Sequence, residues 1–177
     1  LTSELASLYE LPAPQGQFEM VRFPEGTRRA GLLGQGTFLA STAGPTDTSP
    51  TARGIFIRER LLCQHVPPPP PGVITTLPDP IADQPPKGRR QLMNEHWENP
   101  TCASCHRLMD PIGFALENFD AIGRWRENDG GLPIDASSTL ADGTTLDSPT
   151  SFRNFLVNKQ GNEFVRTVTE KLLTYAL

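Results

Sequence analysis

The chain has 177 residues, 37% hydrophobic and 20% charged, an ordinary if slightly lean composition for one good-sized soluble domain or two small ones. Its 18 prolines are about twice the usual share, so long regular elements should be few. The net charge of −4 argues against a nucleic-acid-binding face, and no apolar run reaches the roughly 18–20 residues of a membrane span.

Residues 1–11 carry Leu5, Leu8 and Leu11 at helical spacing, and they begin without an initiator Met or a signal peptide, as a mature or excised piece would. "QFEMVRFPEG" is strand-like and ends in a turn, and the glycine-interrupted "RRAGLLGQGTFLAST" predicts a weak helix. "TDTSPTARGIFIRERLLCQHV" is a clearer helix: Ser49 can cap it, Pro50 suits its first position, and Ile55, Ile57, Leu61 and Leu62 make an apolar stripe. That helix must stop at "PPPPPG", residues 67–72, whose prolines form a rod of about 15 Å read as a stiff connector. The next stretch, "VITTLPDPIADQPP", is expected to be irregular.

"RRQLMNEHWEN" predicts a short helix that ends before Pro100. "TCASCHRLM" predicts another, with Thr101 as its cap, followed by an Asp-Pro-Ile-Gly turn. Phe114, Leu116, Phe119 and Ile122 are burial candidates, and "GLPIDASSTLADGTTLD" is a small hairpin or loop excursion. Two helices close the chain: "SPTSFRNFLVNK", opened by Ser-Pro, and "NEFVRTVTEKLLTYAL", with Phe164, Val168, Leu172 and Ala176 on one apolar face. The fold class expected is mainly α, with short helices around one covalent c-type haem and long proline-rich irregular connections.

The chemistry concentrates in "NPTCASCHRLMDPIGF", residues 99–114. In Cys-x-x-Cys-His on a helix, the three-residue offset puts both sulfurs on one side of a turn, within reach of one haem edge. The adjacent imidazole then faces the iron. In this reading Cys102 and Cys105 form thioethers and His106 is the proximal ligand. Two other chemistries compete: structural zinc held by Cys63, His65, Cys102 and Cys105, and a redox dithiol, which would want a βαβ neighbourhood. The flanks favour haem. The carbonyl of Pro111 can hold the second imidazole nitrogen, Ile112, Phe114, Leu116 and Phe119 can exclude water, and Arg124, Trp125 and Arg126 can meet the propionates. Cys63 is expected to be a buried free thiol, with an intermolecular disulfide as the alternative.

For the sixth ligand nothing downstream qualifies, because Met109 is the only later Met and lies on the proximal side. His96 is the first candidate, since a bend at Pro100 could fold its helix across the distal face. Met93, His65 and Met20 are alternatives, as is an open position. Two imidazole ligands would predict a low potential, whereas an open position would admit peroxide or O₂.

"RGIFIRERLLCQHVPPPPPGV", "NPTCASCHRLMDPIGFALENFDAIGRWRE" and "FVRTVTEKLLTYAL" resemble the planctomycete-type cytochrome c proteins, from about Arg28 onward. These are large secreted bacterial proteins built of modules of unknown function, with a Cys-x-x-Cys-His module towards the C-terminus. The resemblance implies that residues 1–75 are the end of a preceding helical module plus the polyproline connector. It further implies that 76–148 are the haem module and 149–177 a C-terminal helical module, in a chain that usually continues past "TYAL". The haem motif implies single-electron transfer by one covalent haem c, to a redox partner protein or to an upstream module of the same polypeptide, possible also as a subunit of a larger assembly. Attachment of such a haem takes place outside the bacterial cytoplasm, so a periplasmic or cell-surface location is expected. The alternatives are a peroxidase- or oxygenase-like haem enzyme with an open distal site, its base supplied by His96 or Arg124, and a structural zinc module.

Overall fold

The computed structural model describes residues 1–16, 19–29, 31–73 and 87–177. The proline-rich stretch expected to be irregular therefore lies, apart from Val73, outside the described residues.

At the centre two helices cross, α3 (Pro50–Phe56) and α5 (Pro100–Phe114). The start of α3 follows local chemistry: the Ser49 hydroxyl accepts from the Ala52 N–H at 3.1 Å, and Pro50 occupies the first turn, where no N–H is needed. The start of α5 uses the same device one step earlier than expected. Asn99, not Thr101, is the cap, accepting from the Thr101 N–H at 3.0 Å, so Pro100 opens this helix. The expected Asp-Pro-Ile-Gly turn is the last part of α5 instead. Gly113 presses against the Pro50 backbone of α3 there, and the helix runs on through Pro111 despite the hydrogen bond that proline cannot donate.

Before the crossing, α2 (Gly36–Ser41) packs on the same core through Phe38 and Leu39, and α1 (Ser3–Leu8) lies against the start of α2. The face α1 buries holds Ala6 and Tyr9, while Leu5, Leu8 and Leu11 stay half-buried. Tyr9 is drawn in by its hydroxyl, which accepts from the Gly36 N–H at 2.8 Å and donates to Gln35 Oε1 at 3.0 Å. Residues 19–26 form no strand, against expectation. After α3, one wide π turn (Ile57–Leu61) ends at Cys63, whose φ of 52° reverses the chain. The thiol there is exposed rather than buried.

α4 (Arg89–Trp97) leads into α5. The expected hairpin resolves into two short antiparallel ladders. β1 (Asn128–Asp129) pairs with β2 (Leu132–Pro133) across Gly130 and Gly131, and β3 (Ser138–Thr139) pairs with β4 (Thr145–Leu146). Both glycines take positive φ, as a two-residue hairpin turn demands. α6 (Pro149–Lys159) and α7 (Gly161–Ala176) close the chain. Phe164 and Val168 of α7 pack on the core, but Leu172 is 63% exposed, so only the first half of the expected apolar face is covered.

One cluster of buried apolar residues runs from Leu33, Phe38 and Leu39 through Ile57, Leu61, Leu62, Ile112, Leu116 and Phe119 to Phe152 and Leu156. It draws on each of the three segments expected from sequence. Ile122, a burial candidate, is 48% exposed. A fully buried Arg53 ties the end of α5 to α3, donating to the carbonyls of Leu116 (2.9 Å), Phe119 (3.0 Å) and Asp120 (2.9 Å), with Glu117 at 3.7 Å. Burial lowers its pKa to about 10. Among the described residues, no helix is long and apolar enough to cross a membrane.

Candidate cofactor cleft

Helical geometry puts positions 102, 105, 106 and 109 on one face of α5, since residues three and four apart are neighbours. Cys102, Cys105, His106 and Met109 all line a single cleft of about 330 Å³, within the range of roughly 300–1,000 Å³ of small-molecule and cofactor sites. Pro50, Thr51, Ala52 and Ile55 of the α3 segment form a second wall. Val66, Pro67, Pro69, Pro70 and Val73 form a third, so the polyproline run is part of the cleft and not only a connector. Met93 and His96 of α4 complete it.

The imidazole of His106 is held from behind. Its Nδ1 lies 2.9 Å from Oδ2 of Asp110, one turn along α5. Asp110 has no solvent exposure, and its carboxylate also accepts from Trp97 Nε1 at 2.8 Å and from Thr51 Oγ1 at 2.8 Å. The Pro111 carbonyl expected in this role accepts instead from the Ser138 hydroxyl, at 2.6 Å. The reason is the helical course of the Asp-Pro-Ile-Gly stretch, which turns the Pro111 carbonyl towards β3 and brings the Asp110 side chain, four residues on from His106, beside the ring.

The candidates for the far side of an iron fall into two groups. His96 and Met93 line the cleft, and Met93 is buried. The rings of His96 and His106 meet edge to face with centroids 4.6 Å apart, which leaves no room for a macrocycle between them in this arrangement. Burial and the neighbouring His106 lower the His96 pKa. His65 is exposed and faces Glu59 at 3.8 Å, and Met20 is 89% exposed; neither lines the cleft.

The eight flanking residues expected around a haem do not line the cleft either. Ile112, Leu116 and Phe119 belong to the main core, and Phe114 is buried beneath the Arg90 guanidinium, 3.8 Å from its ring centroid. Arg124 is exposed, Trp125 packs edge-on against Phe119 at 5.3 Å, and Arg126 pairs with Glu117 (2.7 Å) and Asp129 (2.9 Å). The arginine on the cleft wall is Arg89, ion-paired with Asp47. Nothing in the spacing of the sequence singles it out, because it reaches the wall only when α4 packs against α5 and brings it to Asp47, ahead of α3.

The donor set proposed for zinc is not assembled. Cys63 opens onto a depression formed with residues 157–163, away from Cys102 and Cys105. Among the described residues, no group of three or more His, Cys, Asp or Glu is placed to hold a metal ion. A dithiol of the thioredoxin kind lacks its βαβ setting, because the strands described form only two-stranded antiparallel ladders.

Comparison with known proteins gives one family. The model of PSCyt3, described as a protein of unknown function (DUF1588), matches residues 29–129. No curated protein matches the chain, and no solved structure does. The matched stretch contains every element that walls the cleft, from α3 through the prolines to α4 and α5. With more than half its length matched, the chain belongs to the PSCyt3 family, a planctomycete cytochrome-type domain family of unknown function.

Proposed function

We propose that the chain is a mono-haem c-type cytochrome, as a module or a subunit, that relays single electrons. The observation that carries this reading is the placement of two thiols and an imidazole on one face of α5, all open to one apolar-walled cleft, with the second imidazole nitrogen on a buried carboxylate. That donor set fits a covalently held haem, which when bound supplies one-electron redox chemistry.

Cys102 and Cys105 would form the thioethers, and His106 would ligate through Nε2, since its Nδ1 is engaged by Asp110. Ile55, Met109 and the prolines 67, 69 and 70 line the cleft and would shield a bound haem from water. Arg89 is the partner for the cofactor's carboxylates in place of Arg124 and Arg126. His96 is the first candidate for the sixth ligand and Met93 the second; either requires α4 to draw back from its contact with His106. Covalent haem attachment places the chain in the periplasm or on the cell surface, and its partner is a redox protein or another module of the same polypeptide.

An absorption spectrum tests the proposal. After production in a host that attaches haem c, a Soret band that survives denaturation and acid–acetone extraction supports it, and a band that is extracted or absent overturns it. A high-spin spectrum that shifts on adding cyanide would move the assignment to a haem enzyme with an open distal position.

A further inference from the structure

We infer that Asp110 is the positioning residue of the His106 imidazole: it fixes which ring nitrogen serves as ligand and keeps a buried carboxylate group behind the ring. The inference rests on the reading of His106 as a haem ligand and deepens it.

Three observations support this role. Asp110 is wholly excluded from solvent, whereas an ordinary Asp–His pair one turn apart on a helix surface is screened by water and contributes only tenths of a kcal/mol. Its oxygens take donors from three separate elements, Thr51 in α3, Trp97 at the end of α4 and His106 in α5. The carboxylate is therefore fixed by the framework and not by the imidazole alone. Finally, the nearby carbonyl that could have held the ring is engaged elsewhere, by Ser138.

The chemical consequence follows from charge. A backbone carbonyl behind a ligating imidazole supplies a dipole, while a buried carboxylate supplies a net charge. An ionised acceptor makes the stronger hydrogen bond and the more basic ligand. It would favour the more positive, oxidised state of a metal bound at Nε2 and so hold that metal's reduction potential low. Trp97 and Thr51 temper the effect by sharing the same carboxylate, and they keep it from turning away.

The test compares wild type with Asp110→Asn and Asp110→Ala, first in the haem-free chain. Nitrogen-15 NMR of labelled histidines reads the tautomer directly. The wild type should show His106 protonated at Nδ1 with Nε2 bare, Asp110→Asn should retain this form, and Asp110→Ala should move it towards Nε2–H. Protonation at Nε2 in the wild type overturns the proposal whether or not the alanine variant folds. So does an unchanged tautomer in a folded Asp110→Ala. In the haem-loaded chain, Asp110→Asn keeps the shape and removes the charge, so a potentiometric titration should show an upward shift of the midpoint; an unchanged midpoint overturns the charge role. If wild type binds no covalent haem, the cytochrome reading fails by itself, and the haem-free tautomer still decides the role of Asp110.

Discussion

Gly54 of α3 lies directly against the backbone carbonyl of Met109 in α5, and a Cβ at position 54 would overlap it. Gly113 meets the Pro50 carbonyl in the same way from the other helix. This reciprocal contact sets how closely α3 and α5 cross, and the cleft opens beside the crossing. Overpacking of a well-packed contact costs about 1–3 kcal/mol and occasionally more. Gly54→Ala and Gly113→Ala should each reach at least the top of that range, because backbone and not a flexible side chain is in the way. Thermal unfolding followed by circular dichroism should show both melting several degrees lower, while Gly16→Ala, with nothing within 4 Å, melts with the wild type. An unchanged melting temperature for Gly54→Ala would contradict the packing described.

Arg53 should tolerate almost no replacement. Its removal takes the guanidinium donor from three carbonyls, two of them in fully buried bonds, and leaves the buried Glu117 with Arg126 as its remaining close cation at 2.7 Å. Arg53→Ala should lose about 3–5 kcal/mol in urea denaturation, the usual cost of breaking a buried ionic contact from one side. Arg53→Lys should recover little, since one ammonium cannot reproduce the guanidinium fork.

Ser148 opens α6 through a reciprocal cap: its hydroxyl accepts from the Ser151 N–H at 3.2 Å, and the Ser151 hydroxyl accepts from the Ser148 N–H at 3.1 Å. Ser148→Ala should cost about 1 kcal/mol at neutral pH. The Ser148 and Ser151 hydroxyls also hold the Asp147 carboxyl below its ordinary value of 3.8. A carboxyl whose folded pKa is depressed stabilises the fold above the unfolded value and stops doing so as pH falls through the folded one. The advantage of wild type over Ser148→Ala should therefore shrink below about pH 4, which denaturation at pH 3 and pH 7 would check.

Cys63 ends the π turn with a φ of 52° and an exposed thiol. A left-handed backbone costs a side-chain-bearing residue roughly 1–2 kcal/mol that glycine avoids. Cys63→Gly should be neutral to stabilising by about 1 kcal/mol, the gain being limited by the greater freedom of glycine in the unfolded chain. A clear loss of stability in chemical denaturation would show that the thiol has contacts the fold depends on.

Much of the framework is local chemistry and could be read directly. The Ser49-Pro50 and Ser148-Pro149 starts rest on two adjacent residues each, and the buried stripe of Ile57, Leu61 and Leu62 rests on helical periodicity. Elsewhere two local rules compete. Pro100 can end one helix or begin the next, and only the Asn99 side chain decides. The cleft was half legible: its reactive face is one helical face of α5, but its other walls come from residues 50–55, 66–73 and 89–96, which share no periodicity with it. Asp110 was within reach as a carboxylate four residues after a histidine. Reading Asp-Pro-Ile-Gly as a turn hid it, because a turn would have removed that spacing. The arginines at 124 and 126 illustrate the opposite case, a plausible charge pair that tertiary structure commits to the surface and to Glu117.

The most direct test of the central claim is the intact mass of the denatured chain after production with haem c attachment, together with a count of its free thiols. Covalent attachment through Cys102 and Cys105 predicts a gain of one haem, a single remaining thiol at Cys63, and loss of the added mass in the Cys102→Ser, Cys105→Ser double variant. An unmodified mass with all three thiols free would contradict it.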